Sequence, residues 1–236
     1  MIKAVLFDLD GTLLPMDQEI FIKTYFKLLT KKLINYGYNP NELIKAIWEG
    51  IHAMIKNDSS DLNEKIFWRV FSDIFKEDKS KDEPIFYEFY KTDFQKVKEV
   101  CGFNKKSKEL VEKSKKLGFR VVLATNPVFP SVATESRIGW AGLSPLDFEF
   151  LTTYENSYSC KPSLRYYKDI ADKLGLSPEE CIMIGNDVSE DMVASKLGMK
   201  VFLITDNLIN KNNEDIEKYP HGDFDDAINY ISNLKN

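Results

Sequence analysis

The chain is poor in the residues that anchor several familiar kinds of site. It holds three cysteines in 236 residues, Cys101, Cys160 and Cys181, and no two of them make a C-x-x-C pair. That excludes the usual zinc and dithiol motifs, and an odd, scattered count points to a reducing compartment rather than a disulfide framework. Histidine is scarcer, with only His52 and His221, so no Ser-His-Asp arrangement can be argued from them. No apolar run approaches the ~18 residues that would cross a bilayer, and the first residues lack a signal-peptide layout. Basic charge shows no excess: 32 Lys and Arg face 37 Asp and Glu, a net charge of −5. A nucleic-acid-binding surface would show as a basic patch or stripe, whereas the doublets Lys31-Lys32 and Lys105-Lys106 read as solvated helix surface. The expectation is a cytoplasmic protein with neither nucleic acid nor membrane as partner. Its composition, 43% hydrophobic and 29% charged, is that of a globular chain able to bury a core without disulfides or structural metal. The oligomeric state has no signature in the sequence.

Hydrophobic periodicity then divides the chain. Residues 2–8 read as a buried strand. From Asp17 to about Val97 the pattern is helical, beginning with EIFIKTYFKLLTKKLINYG and stopping at Gly37 or Asn39-Pro40. Further helices are expected over Asn41–Lys56 and Leu62–Phe75 and from near Pro84, with a polar loop over 56–63. After that the style alternates. Helices are expected over Ser107–Gly118, Ser163–Leu174, Ser189–Leu197 and Phe224–Leu234. Strands are expected over Arg120–Thr125, Phe148–Thr153, Cys181–Asn186 and Lys200–Thr205. The polar stretch Asp206–Gly222 reads as a surface loop held down by Ile216 and Tyr219. Strands alternating with helices specify a parallel sheet covered on both faces. The expected organisation is an α/β core, residues 1–16 and 101–236, interrupted by an all-helical insert, residues 17–100. The insert's many aromatic residues, Phe21, Tyr25, Phe26, Trp48, Phe67 and Trp68 among them, read mainly as bundle core, with a few left over to line a pocket.

Chemistry is expected where such a sheet binds ligands, beyond the carboxyl ends of its strands. The first strand runs into VLFDLDGTLL, which places Asp8 and Asp10 two residues apart. In a strand, positions i and i+2 face the same way. Two like charges that close raise each other's pKa and cost stability unless a cation or a shared proton relieves them. The other strand ends carry Thr125-Asn126-Pro127, Cys160-Lys161-Pro162 and Gly185-Asn186-Asp187, with Glu190 and Asp191 just beyond. Carboxylates, a hydroxyl, an amide and one lysine suit a magnesium ion and a phosphate. Each has a plainer reading as well. Asp8–Gly11 could be a strand-end turn, as could Asn126-Pro127; Lys161 alone would be surface; and D-V-S-E at 187–190 fits a helix capping box.

DLDGT, ATN, a lysine before proline, and G-N-D-x-x-x-D, in that order, resemble the four motifs of the haloacid dehalogenase (HAD) superfamily, and the match runs from Asp8 to Asp191. The helical insert directly after the first motif is similar to the cap of the family's C1-capped branch. The resemblance implies a Rossmann-like parallel-sheet core and a Mg²⁺-dependent phosphatase acting on a small phosphorylated metabolite. It implies Asp8 as the nucleophile that takes the phosphoryl group, and Asp10 as the acid and then the base. Gly11 and Thr12 would shape the turn between them. Thr125 and Asn126 would hold phosphate oxygens, with Lys161 supplying positive charge. Asp8, the Asp10 carbonyl and Asp187 would hold Mg²⁺, with Asp191 supporting the metal shell. One departure stands out: Asn186 occupies the place where the commoner fourth motif has Asp, so Asp187 is favoured as ligand and Glu190 stays open. Asp10 distinguishes this chain from the 2-haloacid dehalogenases, which need no acid there and use no magnesium. A phosphomutase of the same fold, and a non-catalytic phospho-ligand-binding relative, share the motifs wholly or in part. Arg137, in ESRIGWAGL, reads as helix surface in preference to the phosphate entrance.

Overall fold

In the computed structural model, residues 1–58 and 60–234 are described. Five parallel strands form one sheet in the order β2-β1-β3-β4-β5: β1 Ala4–Phe7, β2 Arg120–Leu123, β3 Cys181–Gly185, β4 Lys200–Ile204 and β5 His221–Gly222. The register sets Ala4 beside both Arg120 and Cys181, and Ile182 beside Lys200. Apart from Lys200 at the start of β4, the inner strands are apolar, as both faces are covered. Val5, Phe7, Ile182, Ile184, Phe202 and Ile204 face one apolar cluster. Ala4, Leu6, Cys181, Met183, Val201 and Leu203 face the other. Helices α5 (Lys105–Lys116) and α8 (Phe224–Asn233) cover the first face through Leu110, Val111, Ala227 and Ile231. Helix α7 (Leu164–Leu174) covers the second through Tyr166, Tyr167 and Ile170. This is the α/β, Rossmann-like arrangement expected.

Between β1 and β2 lie α1 (Gln18–Leu33), α2 (Pro40–Ile55), α3 (Asn63–Phe75), α4 (Glu83–Lys91) and a 3-10 stretch, Asp93–Val100. Their starts follow the sequence signals. The Asp17 carboxylate accepts from Glu19 N and Ile20 N, and Asn39 Oδ1 does the same for α2, whose first residue is Pro40. The loop expected over 56–63 includes Ser59, which lies outside the described residues. Chain entry and exit run side by side: Met16 and Cys101 form an antiparallel bridge, and Gly102 N donates to Pro15 O at 2.7 Å. Helix α6 (Ser131–Trp140) follows β2.

Three expectations are corrected. Phe148–Thr153 is not a regular strand; it keeps a single bridge, Leu151 to Leu123, along the edge of β2. The Thr152 hydroxyl donates to the Thr125 carbonyl at 2.7 Å, so a side chain takes over where the ladder would continue. Ser189–Leu197 is not an α-helix but turns followed by a 3-10 segment, Met192–Leu197. There the Glu190 carbonyl is taken by the Tyr167 hydroxyl instead of by a later amide. The 206–222 loop does pack Ile216 and Tyr219 on the core, yet it ends in the short strand β5. Among the described residues, no helix is long and apolar enough to cross a membrane.

Candidate active site

The four expected segments converge at the carboxyl ends of β1, β2 and β3. Asp8 follows β1 directly and is buried. The chain then turns at Gly11, whose φ of +88° is open to glycine and strained for other residues. A Cβ there would also fall 2.4 Å from Asn186 Nδ2. The turn brings the Thr12 hydroxyl to 3.0 Å from Asp8 Oδ2 and 2.8 Å from Asn186 Oδ1. Asn186 Nδ2 in turn donates to the Asn207 carbonyl at 2.6 Å. An aspartate at 186 could accept from Thr12 but could not donate to Asn207, which accounts for the departure seen in the fourth motif.

Lys161 is fully buried and bridges two carboxylates, Asp8 Oδ1 at 2.8 Å and Asp191 Oδ1 at 2.6 Å. Burial alone would pull its ammonium down, but Asp191 and Asp8 more than reverse this and hold it well above its ordinary value. Burial likewise raises Asp191, to about 6, against the pull of Lys161. Asp191 Oδ2 accepts from Asp187 N at 3.0 Å. Asp187 Oδ1 accepts from Ser189 N at 2.8 Å and Glu190 N at 2.9 Å, closing a turn; the helical segment begins only at Met192, so Asp187 does not cap a helix as D-V-S-E suggested. The reciprocal half of a capping box is not made, because Asp191 takes the Asp187 amide and Glu190 accepts from Asn126 Nδ2 at 3.1 Å. Burial pushes the Glu190 carboxyl up to about 7.

Arg137 is the residue that sequence reasoning misplaced. It is fully buried on α6, its guanidinium pairs with Asp10 Oδ2, and it lies 4.4 Å from the centre of the Phe129 ring. The second oxygen, Asp10 Oδ1, is enclosed with no hydrogen-bond partner, as is Asn126 Oδ1. Burial raises the Asp10 carboxyl above its ordinary value; Arg137 pulls against that and Asp8 adds to it. The signal that could have found Arg137 is an arginine on the apolar stripe of a helix, since arginine is rarely buried unless paired.

Asp8, Asp10, Thr125, Asn126, Asn186, Asp187, Glu190 and Asp191 all border one cavity of about 330 Å³. Thr125 is held by its carbonyl, which accepts from the Tyr166 hydroxyl at 2.8 Å. Among the described residues no three His, Cys, Asp or Glu side chains converge as a ready cage for a metal ion. Magnesium does not need one: it is commonly bound through one or two carboxylates, waters and phosphate oxygens. All-oxygen donors from Asp8 and Asp187 on a shared cavity fit that ion.

The family model for haloacid dehalogenase-like hydrolases matches residues 2–198. A glyceraldehyde 3-phosphate phosphatase of Methanothermobacter thermautotrophicus is 24% identical over 238 residues, covering 100% of this chain and 99% of that protein. The pyrophosphatase PpaX of Bacillus cereus is 25% identical over 206 residues, 86% of this chain and 83% of that protein. Among solved structures, a HAD phosphatase from Thermococcus onnurineus superposes with a TM-score of 0.57 at 19% identity, over 99% of this chain and 97% of its own.

Proposed function

Because the chain belongs to the haloacid dehalogenase-like hydrolases, we propose that it is a Mg²⁺-dependent phosphatase that cleaves a small phosphomonoester through an aspartyl-phosphate on Asp8. One observation carries the reading: a buried Asp8 held by Lys161 at 2.8 Å stands beside Asp10 on the same cavity. A binding protein would need neither the nucleophile nor the second carboxylate. The named activities of the two curated relatives, both phosphate-releasing, support it.

The proposed steps follow from the positions of the side chains. Asp8 attacks phosphorus and the ester oxygen leaves. A proton from Asp10 goes to that oxygen, which makes an alcohol the leaving group in place of a costly alkoxide. Asp10, now anionic, takes a proton from water, whose oxygen attacks the phosphoryl group. Inorganic phosphate departs and Asp8 is restored. Arg137 pairs with Asp10 Oδ2 and holds that carboxyl in place at the cavity. Lys161 pairs with Asp8 and places positive charge beside the transferring group. Thr125 and Asn126 hold phosphate oxygens. Asp8, Asp187 and the Asp10 carbonyl would hold Mg²⁺, which when bound would supply charge neutralisation to the phosphoryl group and the paired carboxylates. Asp191 supports this shell indirectly, through Lys161 and the Asp187 amide. Residues 17–100 act as the cap that closes over the site and excludes bulk water.

The test is phosphate release from a panel of phosphomonoesters, for wild type and Asp8→Asn, with Mg²⁺ and with excess chelator. Release that needs the metal and disappears in the folded variant is expected. Full activity of Asp8→Asn would sink the mechanism. Interconversion of sugar phosphates without net release would point to a mutase.

A further inference from the structure

The cavity over Asp8 has two unlike halves. Its floor is the polar set already described. Its walls come from the helical segment and the loop after β2: Ile22 and Phe26 on α1, Trp48 and Ile51 on α2, and Phe129. None of these five carries a charge. Ile22, Trp48, Ile51 and Phe129 are only partly buried, so they retain apolar surface that folding has not consumed. The rings of Phe26 and Trp48 lie 5.5 Å apart at 40°, forming a bent aromatic corner. Spacings of i to i+4 on α1 and i to i+3 on α2 aim these side chains at one space.

Polar groups away from the floor are few. Gln18 and Lys211 border the cavity, and Lys211 is exposed on the 206–220 loop. The Tyr25 hydroxyl is already bonded to that of Tyr90 at 3.0 Å. No cation on α1 or α2 borders the cavity to meet a second phosphate or a carboxylate. Hydroxyls pressed against Phe26 and Trp48 would lose water without regaining partners, whereas an apolar group there gains by leaving water.

Resting on the phosphatase reading above, we propose that the substrate is a phosphomonoester of an uncharged, apolar alcohol, aromatic or branched and on the order of one ring in size, a cavity of about 330 Å³ being at the small end for ligand sites. The polar triose phosphate and the pyrophosphate named in the relatives' activities would leave these walls unused.

The experiment compares kcat/KM for 2-phenylethyl phosphate and 3-methylbutyl phosphate with that for glycerol 3-phosphate and pyrophosphate, at saturating Mg²⁺. The three esters lose alkoxides of comparable basicity, so the ratio among them reports binding rather than leaving-group ability. A preference of roughly 30-fold for the apolar esters is expected from burying one ring. Trp48→Ala and Ile51→Ser should each reduce this ratio several-fold. Equal or better use of glycerol 3-phosphate or pyrophosphate overturns the proposal, as does a preference that both variants keep. A parallel titration with 2-phenylethylphosphonate and 3,4-dihydroxybutylphosphonate, followed by calorimetry, separates the two readings. If no ester releases phosphate, the phosphatase reading fails. Tighter binding of the phenyl compound, weakened in Trp48→Ala, then still supports the apolar site, and equal or absent binding overturns it.

Discussion

Replacing Lys161 by methionine removes one charge from between two buried carboxylates and keeps most of the side-chain volume. Lys161 and Asp191 are each 1% exposed, and the ammonium lies 2.6 Å from Asp191 and 2.8 Å from Asp8. Breaking a buried pair by deleting one partner costs about 3–5 kcal/mol, because the remaining charge is stranded. For a chain of this length each kcal/mol moves the melting temperature by roughly 2–4 °C, so a fall of about 10 °C is expected. Asp191→Asn keeps an acceptor for the Asp187 amide and should cost less, about 1–2 kcal/mol. The double variant has no stranded Asp191 charge, so its loss should fall short of the sum of the singles by about 2 kcal/mol. Urea unfolding of all four proteins in chelator, read by circular dichroism, gives the cycle without metal competing for Asp8. A Lys161→Met protein within 1 kcal/mol of wild type, or a double variant that is simply additive, would refute the idea that this lysine neutralises the pair.

Arg137→Met should lower kcat/KM for an alkyl phosphate at least tenfold more than for 4-nitrophenyl phosphate, whose leaving group needs no proton. Arg137→Lys should recover part of the difference, and equal losses on both esters would mean that Arg137 only supports the fold. Gly185→Ala places a Cβ 2.1 Å from Asp191 Oδ2, so a loss of about 2–3 kcal/mol by denaturant titration is expected, together with lower activity. Wild-type stability there would show that Asp191 moves freely. Gly50→Ala on α2 sets two effects against each other. Helix propensity favours alanine by about 1 kcal/mol, but the new Cβ falls 2.5 Å from the Phe67 ring of α3. Net destabilisation by about 1 kcal/mol is expected, and a rise in melting temperature would mean that the ring yields.

The sheet was legible because inner parallel strands are short apolar runs flanked by turns, and the site because its members sit where those runs stop. Asp8, Thr125, Lys161, Asp187 and Asp191 could be named from position, and the structure brings them around one cavity or into direct contact. What escaped was decided by partners far away in the chain. Arg137 looked like solvent-facing charge because its counter-ion, Asp10, is 127 positions distant. The segment 148–153 has strand-like composition and keeps three backbone bonds to β2, but the Thr152 hydroxyl takes the Thr125 carbonyl where a further rung would form. The aromatics of 17–100 were recognised as a class but could not be sorted. Phe71 and Phe89 are wholly buried and Trp48 only partly so, a difference set by how α1 to α4 pack and not by the residue type. Asn186 read as an anomaly until the structure gave its amide two partners.

The position of β1 between β2 and β3 has a consequence for how the protein is made. Ala4–Phe7 precedes both of its sheet neighbours in the chain, β2, from Arg120, and β3, from Cys181. At ordinary elongation rates the second of these emerges roughly 10–35 s later. Throughout that interval AVLF has its apolar side chains and both backbone edges unmet, while the helices between can already form locally. The nascent chain therefore carries a sticky unpaired segment until then, and slowing synthesis between β1 and β3 should lengthen its dependence on chaperones.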